Sequence, residues 1–394
     1  MDYGKKITVM KLAFQLAYRN LIGAGLRTWL NAAVLSFAFV VMIFYNGLID
    51  GWNEQAKIDG INWEWGNGHL INAGYDPYDA FSIEDGHGKL TADKQDNLTP
   101  ILIRQANIYP KGRLMSIMLK GIDPNQKTLR LPTEILNQSK ADFPVLIGQR
   151  MAESAKVSTG DDILLRWRDK NGTYDAATVT VAGIFETNVP FVDGGQFWMA
   201  IEQLRKITLL EDQTTYFVAN ENYKPSEVES WNFENQKYLM REQTKLIDAK
   251  KIGGSILYIV LMTLGLLAIF DTQVLSIFRR QKEIGTYIAL GMTRWQVVRM
   301  FTAEGGMYSI FAVVLGAIYG IPILWYFSKI GISFGTDGSE MGVIMAERMY
   351  PVYGLGLVFG TIIIVVLSAT LVSFLPARKI ARMNPVEALK GKVQ

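Results

Sequence analysis

Four long apolar runs interrupt an otherwise mixed polar chain, and they cover residues 28–50, 253–278, 305–327 and 352–375. None of them shows the strict alternation of apolar and polar positions that a half-buried β-strand requires. A helix rises about 1.5 Å per residue, so about 22 residues cross a hydrocarbon core of about 30 Å. The pattern therefore predicts four transmembrane helices.

The long segment between the first two runs, residues 51–252, has a different pattern that predicts a water-exposed domain of mixed α and β structure. Residues 163–168 alternate, residues 178–181 alternate again, and Asn171 and Gly172 between them suit a tight turn. This arrangement predicts a β-hairpin with an apolar inner face made of Ile163, Leu165, Trp167, Val179 and Val181. Before it, a strand is expected at 144–148 and a helical unit at 149–156.

The fold class that follows is a membrane α-helical protein with four transmembrane helices. A large mixed α+β domain is inserted between helices 1 and 2. A mean hydropathy of +0.13 agrees with this class, because it is high for a soluble protein and low for a chain made only of spans. The first 27 residues carry charges throughout, so we expect the first run to be a retained span and not a cleaved signal peptide.

Charge predicts the orientation of the spans. The segments 1–27, 279–304 and 376–394 together hold 15 Lys and Arg residues against four Asp and Glu residues. Positive charge is retained on the cytoplasmic side, so both termini and the 279–304 loop are expected there, in the cytoplasmic (inner) membrane. The α+β domain and the short loop 328–351 would then lie on the outer side.

Catalytic chemistry is not predicted for this chain. It has no cysteine and only two histidines, His69 and His87, so a metal site is not expected. A phosphate-binding P-loop is not recognised either, because the nearest approach, Gly88-Lys89-Leu90, lacks the hydroxyl residue. The pair Asp161 and Asp162 is expected to face solvent on a turn. We therefore expect a non-enzymatic subunit that binds no cofactor and takes energy from a separate chain.

The cytoplasmic loop contains a candidate contact for that separate chain. Ile284, Ile288 and Met292 recur at helical spacing, Tyr287 lies beside them, and Gly291 is placed to end the helix. Such an amphipathic helix either rests in the lipid headgroups or docks in a groove of a partner, and periodicity does not separate the two. Residues 1–27 form a similar amphipathic pattern, for which the membrane surface is favoured.

Three further groups of residues have open interpretations. Aromatic residues at the start of the outer domain either contact apolar cargo or, as we favour, pack in its core: Trp52, Trp63, Trp65, Tyr75, Tyr78 and Phe81. Asp271 lies within the second span, where it either makes a polar contact at a seam with another chain or with Asn31, or is protonated or snorkels. Apolar faces of spans one and two either receive apolar cargo at such a seam or pack internally, at Phe37, Val40, Phe44, Leu257, Val260 and Leu264.

Three motifs resemble the FtsX-like permease family, which includes the membrane subunits of lipoprotein-release and MacB-type ABC transporters. The first is Ala17-Tyr18-Arg19-Asn20-Leu21 with Arg27-Thr28. The second is Glu283-Ile284-Gly285 with Ala289-Leu290-Gly291-Met292 and Glu304. The third is Pro376-Ala377-Arg378 with Asn384-Pro385-Val386-Glu387-Ala388-Leu389. The resemblance is tight in these segments and loose over 51–140.

The resemblance implies a dimer, made with a second copy or a paralogue, in which each permease binds a cytoplasmic ABC ATPase that carries the ATP and Mg²⁺. It also implies an ATPase-coupling helix, composed of Glu283, Ile284, Gly285, Tyr287, Ile288, Ala289, Leu290, Gly291 and Met292. The expected cargo is a lipoprotein or similar amphiphile, lifted from the outer leaflet by mechanical transmission. The partners would be these proteins and membrane lipids, with no nucleic acid. The alternatives are a MacB-like efflux permease for peptides or toxins and a mechanical regulator of a cell-wall hydrolase or sensor.

Overall fold

A computed structural model describes residues 26–333 and 348–382 of the chain. The predicted N-terminal amphipathic helix, the Ala17–Leu21 motif, most of the short loop 328–351 and the Asn384–Leu389 motif lie outside the described residues. The described chain forms two compact units. The helical unit comprises residues up to Gly51, 248–332 and 350–382. The α+β unit comprises 52–247 with Ser333, Arg348 and Met349.

The described residues contain eleven α-helices and eleven β-strands. The helices are α1 (Leu26–Gly60), α2 (Ser82–Asp85), α3 (Glu134–Gln138), α4 (Gln149–Ala155), α5 (Pro190–Asp193), α6 (Ile201–Thr208), α7 (Gln236–Leu239), α8 (Arg241–Arg279), α9 (Gln281–Ala289), α10 (Arg294–Ile330) and α11 (Leu355–Ala377). The strands are β1 (Gly68–Asn72), β2 (Leu98–Ile108), β3 (Met115–Ile122), β4 (Pro144–Gly148), β5 (Asp162–Arg168), β6 (Tyr174–Phe185), β7 (Gln196–Ala200), β8 (Tyr216–Ala219), β9 (Trp231–Asn235), β10 (Ile332–Ser333) and β11 (Arg348–Met349). A π-helical turn (Ile61–Trp65) extends α1, and short 3₁₀ turns occur at Ala92–Lys94, Pro110–Gly112 and Arg378–Arg382.

Four of the described helices, α1, α8, α10 and α11, are long and apolar enough to cross a membrane, which confirms the four predicted spans. Three of them extend well beyond their apolar runs. α1 continues to Gly60, α8 begins at Arg241 instead of near residue 253, and α10 begins at Arg294 instead of near residue 305. Residues 241–251 are mostly good helix formers, so the helix continues through polar sequence that a hydropathy window does not detect.

The helical unit is held together by close packing of α1 against α8, α10 and α11. Its core cluster consists of Leu35, Phe39, Val40, Ile43, Ile269, Met307, Tyr308, Ala312, Val365 and Ala369. Gly316 and Gly320 on α10 let Phe39 and Val40 approach closely, because an added Cβ would come within 3 Å of these side chains. Small residues at such contacts are typical of helix packing in membranes.

The α+β unit is organised around six strands that close into a barrel, in the order β2-β3-β7-β4-β6-β5 and back to β2. The pairs β3–β7 and β4–β6 are parallel, and the other four pairs are antiparallel. From the first half of β2 the sheet continues through β8 and β1 to β9. Because the barrel leaves no open edge in its closed part, its interior forms the main core, which includes Leu102, Ile108, Leu119, Val145, Ile147, Phe197 and Met199.

The predicted hairpin is confirmed as β5 and β6, which pair antiparallel from Asp162↔Thr180 to Arg168↔Tyr174. Gly172 in the turn has a φ of +83°, which glycine adopts without strain. The five predicted inner residues are all buried, at 3% exposure or less. The strand at 144–148 and the helix after it are also confirmed, and the helix ends at Lys156 in the left-handed conformation.

Candidate functional site

The loop between α8 and α10 contains a short separate helix whose two ends are marked by local structure. Arg280 has a non-helical ψ of 20° and separates α8 from α9. α9 ends at Ala289, and Gly291 follows with a φ of +98°, which confirms its predicted role at the helix end. Thr293 then starts α10 with a capping box, in which its side chain and that of Gln296 each accept a backbone hydrogen bond.

The apolar stripe of α9 is covered by the chain itself. Ile284 is completely buried in a cluster with Ile277, Val297, Val298, Met300, Phe301, Ala377 and Ile380. Tyr287, Ile288 and Met292 are partly buried against the same cluster. Gly285 is buried as well. Ile284 is therefore covered by the chain itself, because it packs on the start of α10 and the end of α11. For the partly buried residues of the stripe, the lipid-binding and partner-binding interpretations stay predictions.

A different face of this loop is exposed. Among the predicted coupling residues, Glu283, Ala289, Leu290 and Gly291 are exposed, and the Leu290 side chain is 78% exposed. Trp295, at the first turn of α10, is 55% exposed and stacks at 6.4 Å on Phe374. We call Glu283, Ala289, Leu290, Gly291 and Trp295 the inner exposed face. Trp295 was not predicted from the sequence, because it falls outside the periodic stripe.

A buried ion pair fixes the position of α9. The Arg280 guanidinium donates to both carboxylate oxygens of Glu304, at 2.9 and 3.1 Å, and its Nε donates to Glu283 Oε2 at 2.7 Å. It also lies 4.8 Å from the centre of the Phe301 ring. Burial lowers the pKa of Arg280, but the two carboxylates outweigh burial and the net direction is upward. The sequence analysis noted Glu304 only as part of a motif and Arg280 only as a basic charge.

The six apolar residues predicted at the seam do not behave alike. Phe37, Leu257, Val260 and Leu264 are exposed, each by more than half. Val40, in contrast, is 7% exposed and belongs to the helical core, while Phe44 is partly buried and packs edge-on against Phe327 at 5.4 Å. For Val40 and Phe44 the internal packing alternative is therefore the one observed.

The predicted contact between Asp271 and Asn31 is wrong. Asn31 Nδ2 donates instead to the hydroxyl of Thr272 at 2.5 Å and to the Ala268 carbonyl at 3.2 Å. Asp271 is one residue earlier on α8, where its side chain is exposed. Because successive helical residues point about 100° apart, the choice between them depends on the rotation of α8, which hydropathy does not fix.

In the α+β unit, most of the aromatic cluster packs internally, as favoured. Trp52 and Trp65 are buried, and Trp63 stacks on Phe185 at 5.8 Å. Tyr78 and Phe81 are the exceptions, at 74% and 89% exposure. Asp161 and Asp162 face solvent, as expected. No group of side chains that could hold a metal ion occurs among residues 26–333 and 348–382.

One charged cluster in this unit has no counterpart in the sequence analysis. Glu64, on the π-turn, accepts from Lys120 Nζ at 3.2 Å, and both side chains are nearly buried. The Tyr216 hydroxyl lies 3.4 Å from the same Glu64 oxygen, and His69 Nε2 lies 2.9 Å from the Glu64 carbonyl oxygen. Because a carbonyl only accepts, His69 carries its proton on Nε2.

Burial determines the charges in this cluster. It lowers the pKa of His69, an effect that the nearby Glu64 only partly opposes. Burial and Glu64 raise the pKa of Tyr216, and they raise that of the neighbouring Tyr75 to about 12. At neutral pH the rings of His69, Tyr75 and Tyr216 are therefore uncharged.

Comparisons with known proteins agree with this architecture. Residues 255–385 match a family described as FtsX-like permease C-terminal. The chain is 24% identical over 308 residues to the lipoprotein-releasing system transmembrane protein LolC of Xylella fastidiosa (strain Temecula1), covering 69% of this chain and 72% of LolC. It is 25% identical over 178 residues to an uncharacterized ABC transporter permease of Methanocaldococcus jannaschii, covering 44% and 42%. It is 30% identical over 139 residues to the macrolide export ATP-binding/permease protein MacB of Marinobacter nauticus, covering 35% and 19%.

Proposed function

Because the chain is an ABC transporter permease of the FtsX-like family, as its motifs predicted, we propose that it releases lipoproteins or similar amphiphiles from the outer leaflet of the cytoplasmic membrane. The work would come from a separate ABC ATPase and would reach the cargo by mechanical transmission, not through a channel. The similarity to LolC carries this proposal. It covers more residues than the helical unit contains, so it extends into the α+β unit, where a cargo-specific function would lie.

The proposed topology places both termini and the 279–304 loop in the cytoplasm and the α+β unit outside. The excess of basic residues in the three inner segments supports it. Since the chain has no cysteine, single cysteines introduced at the exposed Ala289 and Tyr174 would react selectively. A membrane-impermeant maleimide should label Tyr174→Cys in intact spheroplasts, and Ala289→Cys only after lysis. The opposite pattern would contradict the topology.

The ATPase is proposed to bind the inner exposed face. Leu290 and Trp295 offer apolar side chains to a partner, and Glu283 offers a charge next to the Arg280–Glu304 pair. In this arrangement the buried residues Ile284 and Gly285 and the partly buried residues Tyr287, Ile288 and Met292 hold the face in position. ATP and Mg²⁺ belong to the ATPase, and this chain contributes no cofactor site to the proposal.

A second permease, either a copy or a paralogue, is proposed to cover the exposed stripe on α8. Leu257, Val260, Leu264 and Leu267 are spaced alternately by three and four residues, and all are about half exposed. Asp271 continues this spacing, which supports the dimer-seam interpretation of its carboxylate. Phe37 on α1 is exposed too and is a candidate contact for an acyl chain or for the second permease.

Release from proteoliposomes tests the proposed function. The permease, co-purified with its ATPase, is reconstituted with a fluorescent triacylated lipoprotein, and transfer to a soluble acceptor is followed with ATP. The matched control is the same protein held by a transmembrane helix, which must not be released. ATP-dependent release of only the lipid-anchored form is expected. No release across several lipoproteins, despite ATP hydrolysis, would contradict the cargo assignment.

Efflux of peptides or toxins is the second candidate, and the similarity to macrolide export proteins favours it. That similarity covers about a third of this chain, close to the extent of the shared C-terminal domain. Deletion of the gene separates the candidates, since efflux predicts drug sensitivity with normal lipoprotein sorting. Co-purification of a cell-wall hydrolase or a sensor, without lipoprotein, would instead favour a mechanical regulator.

A further inference from the structure

The segment that connects α1 to the first strand of the α+β unit, residues 59–66, is bonded to several separate parts of that unit. Asp59 accepts from Asn188 at 3.1 Å, and the Asn62 carbonyl accepts from the Arg130 amide at 2.8 Å. The Gly66 carbonyl accepts from Gln236 at 2.8 Å, directly before α8 begins. The rings of Trp63 and Trp65 contact Phe185 and Phe191.

The Glu64–Lys120 pair lies in the middle of this segment. Glu64 is on the π-turn, where the Gly66 amide donates to the Ile61 carbonyl at 2.9 Å. π-turns are uncommon and frequently occur at functional positions. Lys120 is on β3, a strand of the closed barrel, and its ammonium group lies 4.8 Å from the centre of the Trp198 ring. The pair therefore joins the end of α1 directly to the barrel.

This network is only partly satisfied. Glu64 Oε2 and Trp198 Nε1 are buried and have no hydrogen-bond partner among the described residues. A buried carboxylate that accepts hydrogen bonds through only one of its two oxygens is held less firmly in one geometry than a carboxylate that accepts through both. The pair thus holds the end of α1 against β3 while leaving a polar group available for a second arrangement.

Another connection to the α+β unit, the first turns of α8, is held differently. The ion pairs there are Arg241–Glu242 and Lys245–Glu242, and all three side chains are well exposed. Exposed pairs contribute little to stability. The buried side chains there, Met240 and Ile247, are apolar. Of the ion pairs described at these two connections, the one at the end of α1 is buried and those in the first turns of α8 are exposed.

From this contrast we infer that Glu64 and Lys120 are positioning residues that form the joint through which movement of α1 enters the α+β unit. The inference rests on the proposed function, because it assigns the route by which ATP-driven movement reaches the outer domain. The joint acts through its geometry and touches neither nucleotide nor cargo. Loss of the link should therefore separate ATP hydrolysis from movement of the α+β unit.

The test combines three variants whose effects on stability and on coupling should differ. Glu64→Gln leaves the Lys120 ammonium buried without its counter-charge, so it weakens both the fold and the joint. The double variant Glu64→Gln, Lys120→Met removes both charges, so its melting temperature should return towards that of the wild type while the link stays absent. Val179→Ala, in the barrel core at 1% exposure, lowers stability without touching residues 59–66.

Movement is measured as the distance between two spin labels on one chain, by double electron–electron resonance. Spin labels are placed on cysteines introduced at Ile252 in the helical unit and Tyr174 in the α+β unit, both exposed, in the natural cysteine-free background. The complex with its ATPase is compared in the ADP and vanadate-trapped states, and lipoprotein release per ATP hydrolysed is measured in parallel. We expect a nucleotide-dependent shift of the distance in the wild type and in Val179→Ala.

In Glu64→Gln and in the double variant the shift should be lost, and release per ATP should fall about tenfold or more, the size of a typical coupling free energy. A wild-type shift in the double variant would overturn the joint. Loss of the shift in Val179→Ala as well would also overturn it, since general destabilisation would then explain the effect. If the wild type itself shows no shift, the proposed mechanical function fails first, and the joint fails with it. Distance shifts that follow this pattern without lipoprotein release would support the joint and contradict only the cargo assignment.

Discussion

Two buried ion pairs, one beside α9 and one at the end of α1, differ in how many of their carboxylate oxygens are hydrogen-bonded. Arg280–Glu304, in the helical unit, uses both carboxylate oxygens and adds a third bond to Glu283. Lys120–Glu64, in the α+β unit, uses one carboxylate oxygen and leaves the other without a partner among the described residues. The first pair fixes the short helix α9 and the second fixes the end of α1.

The difference indicates which junction is built to stay in one arrangement. In the first pair a single Arg280 nitrogen, Nη1, reaches both Glu304 oxygens and Nε reaches Glu283, so two carboxylates hold the planar guanidinium. A lysine ammonium, in contrast, is a point charge on a flexible stem. We therefore expect α9 to move as one body with the start of α10, and the end of α1 to allow a change of geometry. A rigid input surface and an adjustable output joint suit a permease that transmits force.

Replacement of Arg280 is expected to have the largest effect. Arg280→Met removes the guanidinium that contacts both oxygens of the buried Glu304 carboxylate, which should destabilise the helical unit by about 3–5 kcal/mol. The melting temperature in detergent, followed by tryptophan fluorescence, measures this loss. Arg279→Met is the matched control, because Arg279 is the neighbouring residue and is exposed. Equal melting temperatures for the two variants would contradict the stabilising role of the Arg280–Glu304 pair.

A smaller loss is expected where helices of the helical unit approach closely. An added Cβ at Gly305 would overlap the Ser373 side chain and lie 2.9 Å from Gln273 Nε2. Gly305→Ala should therefore cost about 1–3 kcal/mol through overpacking. At Gly360 on α11 nothing lies within 4 Å of an added Cβ, so Gly360→Ala should be neutral or slightly stabilising. Thermal unfolding of the two variants side by side checks the difference.

The surroundings of the Glu64–Lys120 pair can be probed through the neighbouring His69, whose pKa is lowered by burial. Below about pH 6.5 the His69 side chain binds a proton in the unfolded chain but not in the folded chain. The contribution of His69 to the free energy of unfolding is therefore fully present above that pH and is lost as the pH drops below it. The slope from this group approaches about 1.4 kcal/mol per pH unit. In His69→Gln the free energy of unfolding should therefore fall less steeply below about pH 6.5, by up to about 1.4 kcal/mol per pH unit. Parallel curves for wild type and variant between pH 7.5 and 5 would contradict the assignment.

The smallest effect on stability, with the largest effect on function, is expected at Leu290. Its side chain is 78% exposed, so Leu290→Glu should leave the melting temperature unchanged. The ATPase should nevertheless no longer be stimulated by the permease, because the apolar contact is lost. Leu114→Glu, in the α+β unit and 62% exposed, is the matched control and should retain stimulation. ATP hydrolysis by the reconstituted complexes measures both.

The sequence predicted elements whose pattern is local. The β5–β6 hairpin follows from two alternating runs around Asn171-Gly172, and the four spans follow from the length of their apolar runs. The stripe of α9 was recognised correctly as apolar, but periodicity does not say what covers it. In the structure Ile284 is covered by residues of α10 and α11.

Contacts between residues far apart in the chain could not be predicted from the sequence, for a physical reason. Glu64 and Lys120 are 56 positions apart and are joined only when the barrel closes. A lone charge in a polar domain normally faces solvent, so neither residue stood out. Likewise, whether Asp271 or Thr272 meets Asn31 depends on the rotation of α8 by a fraction of a turn.

The account depends most on a separate ATPase binding the inner exposed face, and site-specific crosslinking in native membranes tests this directly. A photo-crosslinking amino acid is placed at Leu290 and, for comparison, at Tyr174 on the outer hairpin, which is also exposed. The account predicts that residue 290 crosslinks to a protein identified by mass spectrometry as an ABC ATPase, while residue 174 does not. Crosslinking of the ATPase at residue 174, or at neither position in a complex that hydrolyses ATP, would contradict it.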